Sequence, residues 1–339
     1  MFKIAVTGCG RISERHMNAI VDNADFTLAG VCDSVQDRAS EYGRKFNVPH
    51  FPTQEQMLTE TGPDVVSICT PSGTHPGHGM EAARHGAHVI VEKPMATGLE
   101  EADALISACS SNSVKLFVVK QTRFNPAIRL LKKAVEKNRF GRIYLVNATV
   151  RWQRPQEYFD AAGWRGTKKL DGGAFMNQAS HYVDLVSWLA GPVDSVVAKT
   201  ATLGRKIETE DIGAAVIRFT SGALGVIEVN MLTYPENFEG SITVIGEKGT
   251  AKIGGSAMNS IEAWLFSQND PDDEAAEGIR NLPKSAFNSG HRDYYANVAA
   301  ALKGECEPET DGFEGRKSLE LLVGIYASAQ KGAEVVFPL

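Results

Sequence analysis

The chain predicts an α/β protein: a doubly wound parallel sheet, followed by an α+β domain built on a large, mostly antiparallel sheet. Three observations carry this. Short apolar strands alternate with helices as far as residue 121, the mark of a parallel sheet covered on both faces. The first strand breaks at once into the glycine turn Gly8-Cys9-Gly10-Arg11-Ile12-Ser13. After Asn125, strand-like runs follow one another without long helices between them. At 339 residues the chain accommodates two domains, by the rule of about 100–200 residues each. The division is placed to give 1–121 and 122–339.

Phe2-Lys3-Ile4-Ala5-Val6 reads as a buried strand. The paired glycines behind it permit a tight turn and the close backbone approach by which a helix N-terminus receives a pyrophosphate. The third position of that pattern is Ser13, a match in size only. Because the motif starts at the first residues, the nucleotide domain is expected to begin the protein. Phe26–Cys32 is a second strand ending in Asp33, 23 residues beyond Gly10. That is near the ~20-residue spacing at which a carboxylate accepts hydrogen bonds from adenosine ribose hydroxyls. Asp33 would repel a 2′-phosphate, which favours NAD over NADP, although Arg38 nearby keeps NADP open and a turn acid is the structural alternative. Together these features read the first domain as a dinucleotide-binding α/β domain.

The alternation continues through the strand Val65–Cys69, which runs into Thr70-Pro71-Ser72, and a helix from about His75 to His85. Val89–Val91 runs into Glu92-Lys93-Pro94, a helix covers roughly Leu99–Ser110, and Leu116–Val119 precedes Lys120-Gln121. Ligands on such sheets bind beyond the carboxyl ends of the strands. Gly8–Ile12, Asp33, Thr70–Ser72, Glu92–Pro94 and Lys120–Arg123 all fall there.

The second domain begins with a helix, Pro126–Lys137, and a long strand, Ile143–Trp152. A polar, aromatic loop follows, then a helix from about Asn177 to Ala190. The strands Ser195–Ala201, Ala214–Phe219, Ala223–Met231, Ser241–Ile245, Ala251–Ile253 and Ile261–Phe266 form the antiparallel sheet. Gln268–Ser289 is polar and acidic in its first half and reads as a surface loop. The last helix carries Leu319, Leu322, Val323 and Tyr326 on one face, with Asp311 near its start and Gly332 past its end.

Two places carry chemistry. On a wheel of about 100° per residue, Asn177, His181 and Asp184 share an arc of about 60°, one turn apart in succession. A histidine between polar neighbours suits proton transfer; a solvated helix face is the alternative, and Asp184 either orients the imidazole or faces water. Lys93, at a strand's carboxyl end, could hydrogen-bond a substrate oxygen and stabilise alkoxide charge, or be a surface charge. Trp164-Arg165-Gly166-Thr167 combines a stacking ring, an anion clamp and a backbone approach, with ordinary loop packing as its alternative. His75, His78, His85 and His88 lack the cysteine or acid of a usual ligand set, so no metal is expected.

Composition narrows the classes. A content of 43% hydrophobic and 22% charged residues is that of a globular protein. The net charge of −6 argues against a nucleic-acid surface. No apolar stretch approaches the ~18 residues of a membrane helix, and the N-terminus reads as strand and turn, not as a signal peptide. Five cysteines without close pairing read as small buried hydrophobes in a reducing cytoplasm.

Gly8–Ser13, Thr70-Pro71-Ser72-Gly73-Thr74-His75, Glu92-Lys93-Pro94 and Gly172-Gly173…His181 together resemble the glucose–fructose oxidoreductase / inositol dehydrogenase family, over essentially the whole chain. The resemblance implies an NAD-binding Rossmann domain and a second domain whose open sheet packs against another subunit, as a homo-oligomer (dimer or tetramer). It implies a catalytic pair at the reacting carbon, which carries onto Lys93 and His181. The cofactor residues it implies are Gly8, Gly10, Arg11, Ile12, Asp33, Thr70, Pro71, Ser72, His75, Glu92, Lys93, Gln121, Trp164 and Arg165. The family often has an aspartate four residues before the histidine; Asn177 stands there, which casts it as a substrate hydrogen-bonder.

Lys120-Gln121, Lys137–Tyr144, Arg154–Tyr158, Trp164–Thr167, Asp171–Asp184 and Leu232–Asn237 look like one branch of that family, which oxidises C3 of UDP-N-acetyl-2-amino-2-deoxy-D-glucuronate with NAD. That branch serves bacterial surface polysaccharide (O-antigen) biosynthesis in the cytoplasm. Its uronate and diphosphate would be met by Arg154 and Arg165, with Thr167, Asn177, Lys93 and His181 completing the substrate residues. NADH either leaves at each cycle or is reoxidised in place by a keto acid such as 2-oxoglutarate. The alternatives are a free-sugar or inositol dehydrogenase of the same family, and a non-catalytic NAD-sensing regulator, which would need neither Lys93 nor His181.

Overall fold

The computed structural model describes residues 1–255, 258–280 and 290–339. The described chain divides into two compact units: Met1–Gln121 with His291–Leu319, and Thr122–Gly290 with Glu320–Leu339. The stretch His291–Leu319 thus falls with the first unit, whereas the sequence reading placed all of 122–339 in the second. The reason is long-range packing. Tyr294, Tyr295 and Val298 are fully buried, Tyr295 hydrogen-bonds Ser67 at 2.9 Å, and the amide of Val118 donates to the carbonyl of Thr310 at 2.8 Å.

In the first unit, β1 (Phe2–Thr7), α1 (Ser13–Val21), β2 (Phe26–Cys32), α2 (Gln36–Phe46), β3 (His50–Phe51), α3 (Gln54–Thr61), β4 (Val65–Ile68), α4 (His75–Arg84), β5 (His88–Val91), α5 (Leu99–Ser111) and β6 (Leu116–Val118) alternate as expected. The strands form one sheet in the order β3-β2-β1-β4-β5-β6, every pair parallel. Ile4, Ala5, Val6, Val65, Val66, Val89, Ile90 and Val91 have no exposed surface. Strands covered on both faces are continuous apolar runs, which is why they were legible. Register sets Thr7 beside Cys32 and Ile68, Ile68 beside Val91, and Val91 beside Val118. The five strands therefore end together, and the residues after them share one edge. All five cysteines are free; Cys9, Cys32, Cys69 and Cys109 are buried and Cys306 is exposed.

The second unit contains α6 (Pro126–Glu136), β7 (Ile143–Arg151), α7 (Gln156–Asp160), α8 (Ser180–Ala190), β8 (Val193–Ala201), β9 (Ile212–Phe219), β10 (Leu224–Asn230), β11 (Glu239–Gly246), β12 (Gly249–Gly254), β13 (Ser260–Phe266) and α9 (Asp272–Arg280). There follow α10 (Gly290–Lys303), α11 (Gly312–Lys331) and β14 (Val335–Val336). The sheet runs β13-β12-β11-β7-β10-β9-β8-β14. It is antiparallel except between β7 and β10, and α8 packs on both of those strands. Asp311 caps α11 by accepting from the amide of Glu314 at 2.8 Å, and Gly332 leaves it at φ +67°.

Two expectations are corrected. The acidic part of Gln268–Ser289 is the helix α9, not a loop; its residues 281–289 lie outside the described residues. The acids are not solvated decoration. Asp272 pairs with Lys133 and Lys137, both at 2.7 Å, and Asp273 pairs with Arg139 at 2.7 Å. Negative charge in a first turn also favours the helix. The helix expected from Asn177 begins only at Ser180, behind a wider π-turn over Ala174–Gln178. Gly172 and Gly173, at φ +89° and +104°, bend the chain into that turn. Asn177 is therefore off the regular wheel.

Candidate active site

At the common edge of the parallel sheet, β1 ends in Gly8, whose φ is +94°. A Cβ there would lie 2.8 Å from the backbone of Cys69, so only glycine lets β1 and β4 end side by side. Gly10 differs: a Cβ there would meet nothing within 4 Å. No protein atom demands this second glycine, and the room beside it suits the close approach of a phosphate at the start of α1. Ser13 is buried, and its hydroxyl donates to the Gly10 carbonyl at 2.6 Å. Arg11 is exposed and Ile12 half-exposed at the mouth of the loop.

Asp33 follows β2 and is partly exposed. Its Oδ2 accepts from the amide of Cys9 at 2.8 Å, and Oδ1 from that of Val35 at 2.7 Å. The acid thus pins the glycine loop, as the turn-acid reading has it, and its partial exposure leaves room for the ribose contact that the sequence suggested.

Beyond β4, Thr70 and Pro71 are half-exposed and Ser72 is buried. Thr74 donates to the Pro71 carbonyl at 2.8 Å. His75 and Glu92, grouped above with the cofactor residues, have their polar atoms occupied by protein. His75 is 1% exposed, and its Nδ1 and Nε2 lie 2.8 Å from the carbonyls of Pro94 and Thr70. It ties the two loops together, and burial pulls its pKa below the usual imidazole range. Glu92 accepts from the amide of Lys93 at 3.0 Å through Oε2, while Oε1 sits 2.9 Å from His16 Nε2. Burial opposes charge on Glu92, but the His16 hydrogen bond prevails and holds its carboxyl well below the usual carboxylate range.

His16 is a residue that sequence reasoning missed. Its Nδ1 meets the Tyr295 hydroxyl at 2.9 Å and that of Ser67 at 3.2 Å. His16, Glu92 and His291 each place one metal-ligating atom within 4.8 Å of the others, as the one such group among the described residues. Two of those atoms are already hydrogen-bonded to each other. Glu92 ties this buried network to the backbone of Lys93, whose residue is half-exposed. Gln121 opens the short 3₁₀ turn after β6.

The second unit gathers its own set. Arg165 donates to the Tyr158 carbonyl at 2.7 Å and lies 4.2 Å from the centre of the Tyr158 ring. Arg154 lies 5.5 Å from the same ring, and its Nε donates to Gln178 at 2.9 Å. Two guanidinium groups thus flank one tyrosine. The Arg165 Nε is buried with no protein acceptor, an orphan donor suited to an anionic or carbonyl oxygen of a ligand. Thr167 donates to the Trp164 carbonyl at 2.7 Å. Asp171 accepts from the amide of Gly166 at 2.6 Å and from the side chain of Asn177. Tyr158 and Gln178 thereby link Arg154 with Arg165, and Asp171 links Asn177 with Thr167, parts that no spacing pattern announced.

His181 is half-exposed on the first turn of α8. One turn on, Asp184 is 3% exposed, which corrects the reading of it as a water-facing group. It accepts from Arg123 Nε at 2.8 Å and Nη2 at 2.7 Å. Among the described residues no helix is long and apolar enough to cross a membrane.

Comparison with known proteins matches residues 2–120 to the oxidoreductase family with an NAD-binding Rossmann fold, GFO/IDH/MocA. Residues 128–252 match the GFO/IDH/MocA C-terminal domain. The chain is similar to the WlbA dehydrogenase from Bordetella pertussis, whose crystal structure is a complex with NADH and UDP-GlcNAcA: 49% identity, TM-score 0.97, covering 100% of this chain and 98% of that one. It is also similar to the WlbA dehydrogenase from Chromobacterium violaceum, again with NADH and UDP-GlcNAcA, at 48% identity and TM-score 0.95, covering 100% and 96%. A more distant relative is the myo-inositol 2-dehydrogenase of Thermotoga maritima, 29% identical over 73% of each chain.

Proposed function

This chain belongs to the GFO/IDH/MocA oxidoreductase family, and from that premise we propose that it is an NAD-dependent dehydrogenase that oxidises the C3 hydroxyl of UDP-N-acetyl-2-amino-2-deoxy-D-glucuronate to the 3-keto sugar nucleotide. The observation that carries this is 49% identity along the full length to a dehydrogenase bound to NADH and UDP-GlcNAcA. Bound NAD supplies a hydride acceptor at its nicotinamide ring. His181 takes the C3 hydroxyl proton as general base, which requires a neutral imidazole before the step. Lys93 donates a hydrogen bond to the same oxygen and offsets the charge that develops as the proton leaves. The open space at Gly10 and the Asp33 carboxylate suit the pyrophosphate and ribose of NAD. Arg154 and Arg165 supply cations for the uronate and diphosphate, with Asn177 and Thr167 as neutral hydrogen-bonders.

The test is direct. The protein is mixed with NAD and, in parallel, UDP-N-acetylglucosaminuronate, glucose or myo-inositol, with 2-oxoglutarate present or absent, and NADH absorbance is followed. Turnover with the UDP-uronate alone supports the reading. Turnover with a free polyol alone replaces it by the inositol-dehydrogenase reading, which the Thermotoga relative favours. NAD binding without any turnover would leave a sensor. Stimulation by 2-oxoglutarate would identify the keto acid as the final hydride acceptor. Action in the cytoplasm, in surface polysaccharide biosynthesis, follows from the same reading.

Asp33→Ala is expected to raise the Kd for NAD by about 10- to 100-fold, the loss of one charge-assisted hydrogen bond at about 1.5–3 kcal/mol. NADP affinity should rise relative to NAD. Calorimetric titration of both separates this from mere loosening of the glycine loop, which would weaken the two alike.

A homo-oligomer is also part of the proposal. Val197, Val216 and Val226 stand side by side on β8, β9 and β10; Val197 and Val216 are exposed at 44% and 51%. A row of apolar side chains on a sheet face otherwise open to water is a self-association surface. Light scattering is expected to give a mass of two or four chains, and Val216→Glu to lower it. A monomer at micromolar concentration would exclude the assembly.

A further inference from the structure

We propose that Glu210 and Tyr326 form a proton-holding clasp beneath the turn Gly172–Gln178, with Glu210 a positioning residue that acts on Asn177 and His181 through that turn. The inference deepens the catalytic reading above, on which the roles of Asn177 and His181 rest.

The clasp is built from two segments of the second unit that are far apart in sequence. Glu210 precedes β9 and is 7% exposed. Its Oε1 accepts from the amide of Phe175, in the π-turn, at 2.9 Å. Gly173 makes room: a Cβ there would collide with the Glu210 carboxyl. Tyr326, on α11, places its hydroxyl oxygen 2.7 Å from Glu210 Oε1 and 2.6 Å from the carbonyl oxygen of Gly172. That hydroxyl also accepts from the amide of Met176 at 3.1 Å. Three backbone groups at the bend, those of Gly172, Phe175 and Met176, are thus held by two side chains.

Counting protons shows which form fits. A phenol has one hydrogen, and two oxygens stand within hydrogen-bond distance to receive it. Given to Gly172, it leaves Glu210 and Tyr326 with their oxygens at 2.7 Å and no hydrogen between them, unless Glu210 carries one. Given to an ionised Glu210, it leaves the Gly172 carbonyl facing a bare phenolic oxygen at 2.6 Å. A neutral Glu210 with the hydrogen on Oε1 meets these contacts: Oε1 donates to Tyr326 while its lone pair accepts from Phe175, and Tyr326 donates to Gly172. Burial favours the same form, pushing the Glu210 carboxyl up to about 7. The titratable group in contact with it is Tyr326 from α11, which in turn feels Asp171 from the loop before the bend. Hydrogen bonds from Tyr326 and from the amides of Phe175, Ala174 and Glu210 itself favour the ionised form, but burial outweighs them.

Asn177 and His181 inherit their positions from this bend. Asn177 lies within the turn that Glu210 holds, and α8, with His181 in its first turn, starts two residues after the turn ends. When Glu210 ionises, the phenolic hydrogen is drawn to the carboxylate and the Gly172 carbonyl loses its donor. The bend then loosens, and the two side chains move with it.

The test uses the intact protein without ligands, then with them. In infrared difference spectra, a carboxylic-acid carbonyl band is expected at pH 6, fading as pH rises through about 7, and absent from Glu210→Gln. The side-chain amide signals of Asn177, assigned by their loss in Asn177→Ala, should step over the same pH range in the wild type and stay fixed in Glu210→Gln, whose NH2 group donates to Tyr326 in place of the acid, gives up the Phe175 contact and cannot ionise. Stability follows the same sign. The native carboxyl holds its proton above the ordinary value of 4.5 and up to about 7, so stability falls as pH rises across that window, and Glu210→Gln removes the fall. With NAD and the UDP-uronate, wild-type kcat should drop several-fold on the alkaline side. Glu210→Gln should keep the acid-side turnover and lose that alkaline drop, whereas Glu210→Ala should be slow throughout. Absence of the acid band at pH 6, or an Asn177 step that persists in Glu210→Gln, overturns the clasp. Both of those readouts need no substrate, so they stand even if the proposed substrate is never turned over.

Discussion

Replacing His181 with asparagine is expected to lower kcat by about 10²–10⁴-fold, the usual contribution of a positioned general base, with NAD affinity little changed. Asparagine keeps the polarity and roughly the size of the side chain but cannot take up a proton at neutral pH. His181 is half-exposed, so the change places no new group in the core. Lys93→Ala is expected to cost about 10²–10³-fold in kcat, as loss of a donor to a developing oxyanion does. Lys93 donates its own amide to Glu92, a backbone bond that survives the substitution, so the loop should keep its shape. Steady-state rates with the UDP-uronate, beside calorimetric titration of NAD, separate loss of chemistry from loss of binding. Turnover within threefold of the wild type in either variant removes that residue from the reaction.

That the Rossmann half could be read so far follows from its physics. A parallel strand buried on both faces must be apolar at consecutive positions, so Ile4-Ala5-Val6, Val65-Val66 and Val89-Ile90-Val91 announce themselves. Because those strands end in register, the polar residues that follow each of them can be placed on one edge from sequence alone. What escaped was set by partners far along the chain. The acidic run at Asp270–Asp273 looked like solvated loop, because its cations, Lys133, Lys137 and Arg139, lie over 130 residues earlier. The helix wheel through Asn177 failed because the bend before α8 answers to Glu210 and Tyr326, which are 35 and 150 residues from their backbone partners. His16 stands in a helix whose periodicity marks it merely as inward-facing; only the fold brings it to Glu92 and Tyr295. Local pattern reports burial well and reports pairing between buried polar groups poorly.

Asp184 is the clearest instance of such a pairing, and it carries the largest expected loss of stability. Its side chain and that of Arg123 are each 5% exposed, and both carboxylate oxygens receive a guanidinium nitrogen. The guanidinium also lies 4.9 Å from the ring centre of Trp188 on the next turn of α8. Asp184→Ala takes the carboxylate away and leaves the positive charge inside the protein, a change that typically costs about 3–5 kcal/mol. Against a native margin of about 5–15 kcal/mol, that is enough to lower the urea midpoint of the second unit plainly. Asp184→Asn retains an acceptor and should lose less. Replacing both partners by apolar residues, Arg123→Met with Asp184→Leu, should recover much of the loss, since well-packed hydrophobic pairs often match a buried ion pair. A single Asp184→Ala variant within about 1 kcal/mol of the wild type, the worth of an exposed pair, would mean that the geometry of this pair adds nothing beyond a surface contact. Because α8 carries His181 one turn before Asp184, the same substitution should reduce activity only where the helix has begun to melt. Assays at 10 °C and at 40 °C would separate that indirect loss from a direct role of Asp184 in orienting the imidazole, which would lower kcat equally at both.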